Sequence, residues 1–505
     1  MNDPSRKYRW ILLGTSLLTI GYLIAAAVRE NFLADWHHIQ MQYQTILESK
    51  ATDENGRAVA RDFRVELKQI SVPQLKAVDR CVSCHNGIDD PRMTNVALPH
   101  HVHPGDILKN HPADRFGCTV CHQGQGPATS FHDAMGVDVA WDYPLLDRNL
   151  TQSSCLACHD VGKLPPQEVS LVLEGRKLYA EKSCGACHRL GGRGGTLGPA
   201  LDNEGAKTKH QLILTNVKPP YTTWDWHRDH FRDPGGVVDA SQMKNPALSQ
   251  PQILALTVYM LAQRQRDVPE SYLAPDKVEE KVRKLHPEAL TGEQIYQQYC
   301  LACHGEGSYG RWEKTFKRFV PGIRGTSLQA NADRAYLEAQ IVNGRPGTQM
   351  PPWGKQAGGL LPEEINAVLD YIQPPETRRA AMVAARALPS PRRGEAGRGE
   401  ALYTAYCSGC HGMAGHGGIA PELANPVFQK AATDEFIITT IRNGRRNTAM
   451  ASFQPQIPGT AGFSDAQLDD LLAFIRKLGE PRPGAVSADS GMLPLGTQKL
   501  AEARP

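Results

Sequence analysis

Gly399-Glu400-Ala401-Leu402-Tyr403-Thr404-Ala405-Tyr406-Cys407-Ser408-Gly409-Cys410-His411 sets a glycine and an aromatic on a helical run that ends in two cysteines and a histidine. The same ending stands at Cys81/Cys84/His85, Cys118/Cys121/His122, Cys155/Cys158/His159, Cys184/Cys187/His188 and Cys300/Cys303/His304. Together these motifs use all 12 cysteines of the chain. Cys-x-x-Cys-His is the attachment signature of c-type haem, because two thiols at this spacing reach one porphyrin edge and the adjacent ring offers a nitrogen to the iron. A single copy would compete with a zinc site or a redox dithiol. Six copies that exhaust the cysteines predict six covalent haems, each with its iron.

At 505 residues the chain is too long for one core. A net charge of +3 gives no reason to expect nucleic acid. Residues 10–28 form an uncharged, mostly apolar run of 19, about the length of a membrane span, preceded by Arg6, Lys7 and Arg9. The positive-inside rule then keeps residues 1–9 cytoplasmic and puts the bulk of the chain on the periplasmic face of the inner membrane, as a single-pass protein. The alternative is a cleaved signal peptide ending near Ala25-Ala26-Ala27.

Residues 29–72 read as an amphipathic stalk, with Phe32, Trp36, Ile39, Tyr43 and Ile46 on one face. Residues 73–165 hold three haem motifs with little apolar sequence between them, so porphyrin would have to supply much of the core. Three repeats follow, at 166–275, 285–376 and 394–479. Each opens on a glycine and a Leu-Tyr or Ile-Tyr pair before its cysteines, at Gly175, Gly292 and Gly399. Each closes on an amphipathic helix; Ser249-x-x-Gln252 and Ser464-x-x-Gln467 predict capping boxes, and the middle copy uses Leu361-Pro362-Glu363-Glu364. The charged stretch from Pro269 to Pro287 and the stretch from Thr377 to Arg398 read as linkers, and 480–505 as a disordered tail.

The sixth iron ligand differs between the halves. Met350 and Met450 follow the parallel stretches Ile341-Val342-Asn343-Gly344-Arg345 and Ile441-Arg442-Asn443-Gly444-Arg445, and Met243 holds the corresponding slot in the first repeat. Recurrence at one place marks these methionines as thioether ligands, with His227 and His230 as rivals to Met243. For the first three irons, His103, His111 and His132 are the distal candidates, with His100 and His101 as alternates.

The three repeats resemble class I cytochrome c domains. The resemblance implies that a first helix crosses the last one at the glycine, with an aromatic of the last helix packed there. It also implies that a proline carbonyl, at Pro199, Pro321 or Pro421, orients each motif histidine. The repeats depart from the family pattern where Lys244 and Ala451 follow their methionines. The N-terminal half resembles bis-histidine multihaem modules of cytochromes found with Rieske and cytochrome b type quinol-oxidising complexes, through Val78-Asp79-Arg80-Cys81, Phe116-Gly117-Cys118 and His122-Gln123-Gly124-Gln125-Gly126. The whole implies a mainly α protein: one transmembrane helix, a loop-rich trihaem module and three tandem helical cytochrome c domains. The expected role is non-enzymatic, relaying electrons from a quinol-oxidising membrane partner to a soluble carrier or terminal oxidase. Direct quinol oxidation and multihaem reductase chemistry are the alternatives.

Overall fold

A computed structural model describes residues 4–137, 141–285, 289–307, 309–377, 393–446, 448–454 and 462–480. The expected tail after Glu480, and most of the stretch expected as a second linker, lie outside the described residues. The described chain is mainly helical, and its strands form two short antiparallel pairs. It falls into two compact units, Met1–Glu288 and Ala289–Pro505.

The first unit begins with α1 (Pro4–Val28), whose 25 residues rise about 37 Å, enough to cross a hydrocarbon core. Its Leu12, Leu17, Leu18 and Leu23 side chains are exposed. Next, α2 (Asp35–Lys50) buries Trp36, Gln40, Tyr43 and Leu47, while Phe32 stays exposed and Ile39 and Ile46 are half-buried. The buried stripe is therefore turned from the expected one, and Gln40 explains why. Its Nε2 donates to the carbonyls of Glu66 and Ser83 (2.9 Å each), and its Oε1 accepts from the Glu66 N–H (2.9 Å). A satisfied amide can sit in the interior without penalty, and this one fastens the helix to the loop of the first haem motif.

From Pro73 onward the first unit runs in short helical turns with few buried apolar residues until α3 (Ser170–Glu181) and α4 (Gln250–Ala262). The stretch expected as a linker forms instead a strap that ends in α5 (Pro275–Leu285). Arg266 Nη1 donates to the Val120 carbonyl (2.7 Å), and the Ala274 N–H donates to the Cys158 carbonyl (3.0 Å). Proline at the first helical position and an aspartate in the first turn suit the start of α5.

The second unit repeats one helical set twice. Its first copy holds α6 (Gly292–Ile295), α7 (Thr326–Asn331), α8 (Arg334–Asn343) and α9 (Pro362–Ile372). Its second copy holds α10 (Ala396–Tyr406), α11 (Pro426–Ala431), α12 (Asp434–Asn443) and α13 (Asp465–Leu478). One apolar core runs through both, from Ile295 to Ile475. Within it α8 packs on α11 and α7 on α12, the reciprocal pattern of a two-fold interface. Tyr336 and Phe436, which occupy the same place in their copies, meet at 4.6 Å between ring centroids.

Capping follows the sequence at Ser249/Gln252 and Ser464/Gln467. At Leu361 only the Glu364 arm exists, accepting from the Leu361 N–H (2.9 Å), since leucine has no oxygen to return. In all three repeats the opening helix meets the closing one at glycine. A Cβ on Gly175, Gly292 or Gly399 would lie 2.3, 2.1 or 2.0 Å from a carbonyl of the facing helix. The aromatic pairs Tyr179–Tyr259, Tyr296–Tyr371 and Tyr403–Phe474 close over these crossings at 5.9, 5.4 and 5.1 Å.

Gly399→Ala is expected to destabilise the second unit by about 2–3 kcal/mol, because the methyl must displace backbone. At the exposed Gly397, where the nearest atom to an added Cβ is 3.7 Å away, alanine is expected to be neutral or stabilising by up to about 1 kcal/mol. Thermal melts of the two variants, with the transitions in the opposite order, would refute this account.

Candidate functional site

Each Cys-x-x-Cys-His segment forms a single tight turn. The histidine N–H bonds back to the first cysteine's carbonyl, as in His85 to Cys81 (2.8 Å) and His411 to Cys407 (3.0 Å). The second cysteine's N–H often does the same, as in Cys121 to Cys118, Cys187 to Cys184 and Cys410 to Cys407 (3.2 Å each). Two thiols at this spacing on one turn can reach one porphyrin edge, with the adjacent imidazole offered to the iron. All 12 cysteines are partly buried thiols, and none is joined to another. Burial pushes Cys155 and Cys300 up to about 12, and Cys84, Cys184 and Cys407 up to about 11.

Cys187 and Cys303 are expected as the second attachment points of the first two repeats. The Cys187 carbonyl accepts from the Gly198 N–H (2.9 Å), which ties this turn to the segment leading into Pro199. Cys303 lies in the helical turn Leu301–His304, and its proximity adds to burial in raising the Cys300 thiol. Among the described residues no group of three His, Cys, Asp or Glu side chains converges to hold a bare metal ion.

In the repeats the motif histidines share one arrangement. His188 Nδ1 lies 2.9 Å from the Pro199 carbonyl, His304 Nδ1 2.9 Å from that of Pro321, and His411 Nδ1 2.8 Å from that of Pro421. A carbonyl only accepts, so Nδ1 carries the proton and Nε2 keeps its lone pair. Burial holds all three rings below the usual histidine range, in the neutral form that binds metal.

The candidate methionines occupy a common turn. The Met350 N–H donates to Thr348 Oγ1 (3.2 Å), the Met450 N–H to Thr448 Oγ1 (3.1 Å) and the Met243 N–H to Ser241 Oγ (3.2 Å). The Arg345 and Arg445 N–H groups return to the Met350 and Met450 carbonyls (2.9 Å each). The hydroxyl two residues before each methionine is readable in the sequence as Ser/Thr-x-Met. The proline after the methionine, absent in two of the three repeats, is not needed for this turn.

Met243 keeps its rivals. His227 is buried, with Nε2 unpartnered and 3.9 Å from Glu204 Oε1; burial takes it down to about 3. His230 stacks on Trp226 at 4.5 Å, its Nδ1 is unpartnered, and burial takes it down to about 4.

In the first unit, two distal candidates face motif histidines. His103 and His122 have ring centroids 6.3 Å apart, and His111 and His159 5.9 Å. Two imidazoles that hold one ion from opposite sides, each by a nitrogen at about 2 Å, stand roughly 6 Å apart, so both pairs fit a bis-histidine iron. His103 Nδ1 and His111 Nδ1 engage the carbonyls of Pro104 (3.0 Å) and Ile107 (3.2 Å), which leaves Nε2 as the free donor atom in each. His132 is exposed on a short helix, Phe131–Met135, with Nδ1 3.7 Å from Asp133 Oδ1. The Phe131 N–H donates to Asp35 Oδ2 (2.8 Å), which brings that helix to the start of α2. Of the alternates, His100 is buried with neither ring nitrogen bonded, and His101 Nδ1 bonds the Val102 carbonyl (2.5 Å).

Asp79, which the sequence marks only as a neighbour of the first haem motif, has a structural role in the second. Fully buried, it accepts from the Cys118 N–H (2.5 Å) and the Thr119 N–H (3.2 Å) through Oδ2, and from Thr119 Oγ1 (2.7 Å) through Oδ1. It thus caps the turn of the second haem motif from a β-strand some 40 residues earlier. Nothing in the sequence signals a cap supplied from that distance.

Residues 287–372 and 394–475 match the family described as cytochrome c oxidase, cbb3-type, subunit III, and residues 172–263 match the cytochrome c family. The chain is 24% identical over 202 residues to a cbb3-type cytochrome c oxidase subunit CcoP of Azospirillum sp. (strain B510), covering 37% of this chain and 61% of that protein. It is 35% identical over 86 residues to the FixP subunit of Azorhizobium caulinodans, covering 17% and 27%. It is 27% identical over 214 residues to the cytochrome bc1 complex cytochrome c subunit of Mycobacterium tuberculosis, covering 38% and 65%. The chain thus spans about three-fifths of the length of the first of these relatives. It is a multihaem c-type cytochrome, mainly α, and among the described residues one N-terminal helix is long and apolar enough to cross a membrane. Cytochrome c domains imply covalently bound c-type haem, and the turns described above fit it.

Asp79→Ala leaves two N–H groups and a hydroxyl without their buried acceptor. The expected result is a loss of about 3 kcal/mol in the stability of the first unit, read as a lower first unfolding transition of the full chain. An unchanged transition would remove Asp79 from this role.

Proposed function

We propose that this chain binds six haems at its six Cys-x-x-Cys-His motifs and relays electrons between a membrane complex and an outer carrier. In this reading α1 is a single-pass anchor in the inner membrane, and the bulk of the chain lies on the periplasmic face. His85, His122, His159, His188, His304 and His411 would each hold one iron through a ring nitrogen. Met243, Met350 and Met450 complete the irons of the repeats, and His103, His111 and His132 those of residues 73–165.

The observation that carries the reading is the contrast between two ligand environments. Paired imidazole rings face each other at 6.3 and 5.9 Å in the first unit, whereas Ser/Thr-x-Met turns recur in the repeats. Thioether ligation favours ferrous iron and raises the potential relative to two imidazoles. Electrons therefore run downhill from the bis-histidine haems to the histidine–methionine haems. The similarity to subunits named for a cbb3-type oxidase and a bc1 complex supports a quinol-oxidising partner of the Rieske/cytochrome b type as donor, and a soluble carrier or terminal oxidase as acceptor. The chain acts as a redox subunit with no bond-making chemistry of its own.

A spectroelectrochemical titration of the detergent-extracted protein should resolve a low and a high group of three haems each; one merged group would sink the gradient. Met350→Ala should abolish the weak thioether–iron absorption of one haem and lower its potential. An unchanged spectrum would show that Met350 is not the ligand.

A further inference from the structure

The histidines of the six motifs do not all have the same kind of neighbour. His85, His188, His304 and His411 each bond a proline carbonyl, those of Pro99, Pro199, Pro321 and Pro421. His159 faces a carboxylate instead, with Asp276 Oδ1 3.6 Å from its Nδ1. The two side chains are only 22% and 20% exposed.

Asp276 reaches this place because the strap after α4 is pinned just before it and through its own carboxylate. The Ala274 N–H donates to the Cys158 carbonyl (3.0 Å), and Asp276 Oδ2 accepts from the Asp160 N–H (3.1 Å). Lys277 Nζ lies 2.7 Å from Glu280, and its charge is still felt at His159 and, with that of Arg266, at Cys158, so Asp276 works against two cations whose positions its own substitution leaves unchanged. His111 is packed against the His159 ring as well, 5.9 Å away between centroids.

We propose that Asp276 is a positioning residue that lowers the reduction potential of the haem attached at Cys155 and Cys158. This rests on the reading of His159 as that haem's ligand. A carboxylate beside the outer nitrogen of a metal-bound imidazole makes the ring a stronger donor. A fixed negative charge in a partly buried site also favours ferric iron over ferrous, because oxidation adds one positive charge there. A carbonyl dipole offers the first effect weakly and the second hardly at all. With Asp276 in place, a haem held at Cys155, Cys158 and His159 would have a lower potential than the same site without the carboxylate. No proton or further reactant is needed.

The test is a redox titration of the full haem-loaded protein, followed by absorbance and by the EPR signals of the ferric haems. Asp276→Asn keeps an acceptor for the Asp160 N–H and removes the charge. It should shift one midpoint upward and alter one low-spin signal, leaving the other centres in place. Asp276→Glu keeps the charge and should keep the low midpoint. Should D276N fail to accumulate, Asp276→Ser reads the same loss of charge. An unmoved set of midpoints in the uncharged variants, or a shift in D276E as large as in D276N, overturns the proposal. Peptide mass mapping of the wild-type protein separates the underlying reading. No haem on Cys155 and Cys158 would overturn that reading, and the role of Asp276 with it, whatever the variants do.

Discussion

A carbonyl oxygen held 2.8–2.9 Å from the Nδ1 of a motif histidine is the contact on which each repeat depends. It fixes the tautomer, aims Nε2 away from the loop, and allows a neutral ring to be buried without an orphaned donor. Everything else in a repeat can be seen as holding the two partners in register. The cysteine turn supplies the histidine, and the loop after it supplies the proline. The glycine crossing brings the opening helix against the closing one so that both stay put. Tyr296 Oη and Tyr403 Oη add a second tie, donating to the carbonyls of Gly305 and Gly412, the residues immediately after their motif histidines (2.8 and 2.7 Å). In the first repeat Tyr179 Oη donates to the His188 carbonyl itself (3.1 Å).

Much of this was legible because it is local or periodic. The cysteine–histidine turns and the capping boxes at Ser249 and Ser464 follow from residues at fixed spacing, the crossing glycines from the resemblance to class I cytochrome c domains, and a pattern written three times corrects for noise in any one copy. What could not be read depends on contacts between distant segments. Asp79 caps a turn some 40 residues away, and Gln40 turns the stripe of α2 inward by bonding Glu66 and Ser83. The charged stretch from Pro269 to Pro287 reads as a linker, and the strap that holds its first part begins before it, at Arg266. It is ordered by backbone carbonyls of the haem motifs, which leave no trace in side-chain sequence.

The same distinction explains the uneven reading of the ligands. A methionine in a repeat can be compared with its counterparts, and the shared hydroxyl at Ser241, Thr348 and Thr448 gives the comparison a structural reason. The histidines between His100 and His132 have no second copy to compare. There the choice rests on which ring the folded chain brings to which motif, as it does for His103 with His122 and His111 with His159.

Repetition also carries a consequence that no single repeat contains. In the second unit the two copies meet through equivalent surfaces, Tyr336 against Phe436, and the arginine that opens a methionine loop lies beside that contact. The Arg345 N–H closes the turn on the Met350 carbonyl, while its Nη2 reaches the Glu422 carbonyl of the other copy (2.6 Å). Glu422 follows Pro421, whose own carbonyl takes the His411 Nδ1–H. One guanidinium therefore joins the loop of Met350 to the segment that orients His411. A displacement on either side must be accommodated through a half-buried arginine beside a close-packed core, where small shifts are felt. The two copies are thus mechanically one object, although each carries its own haem motif.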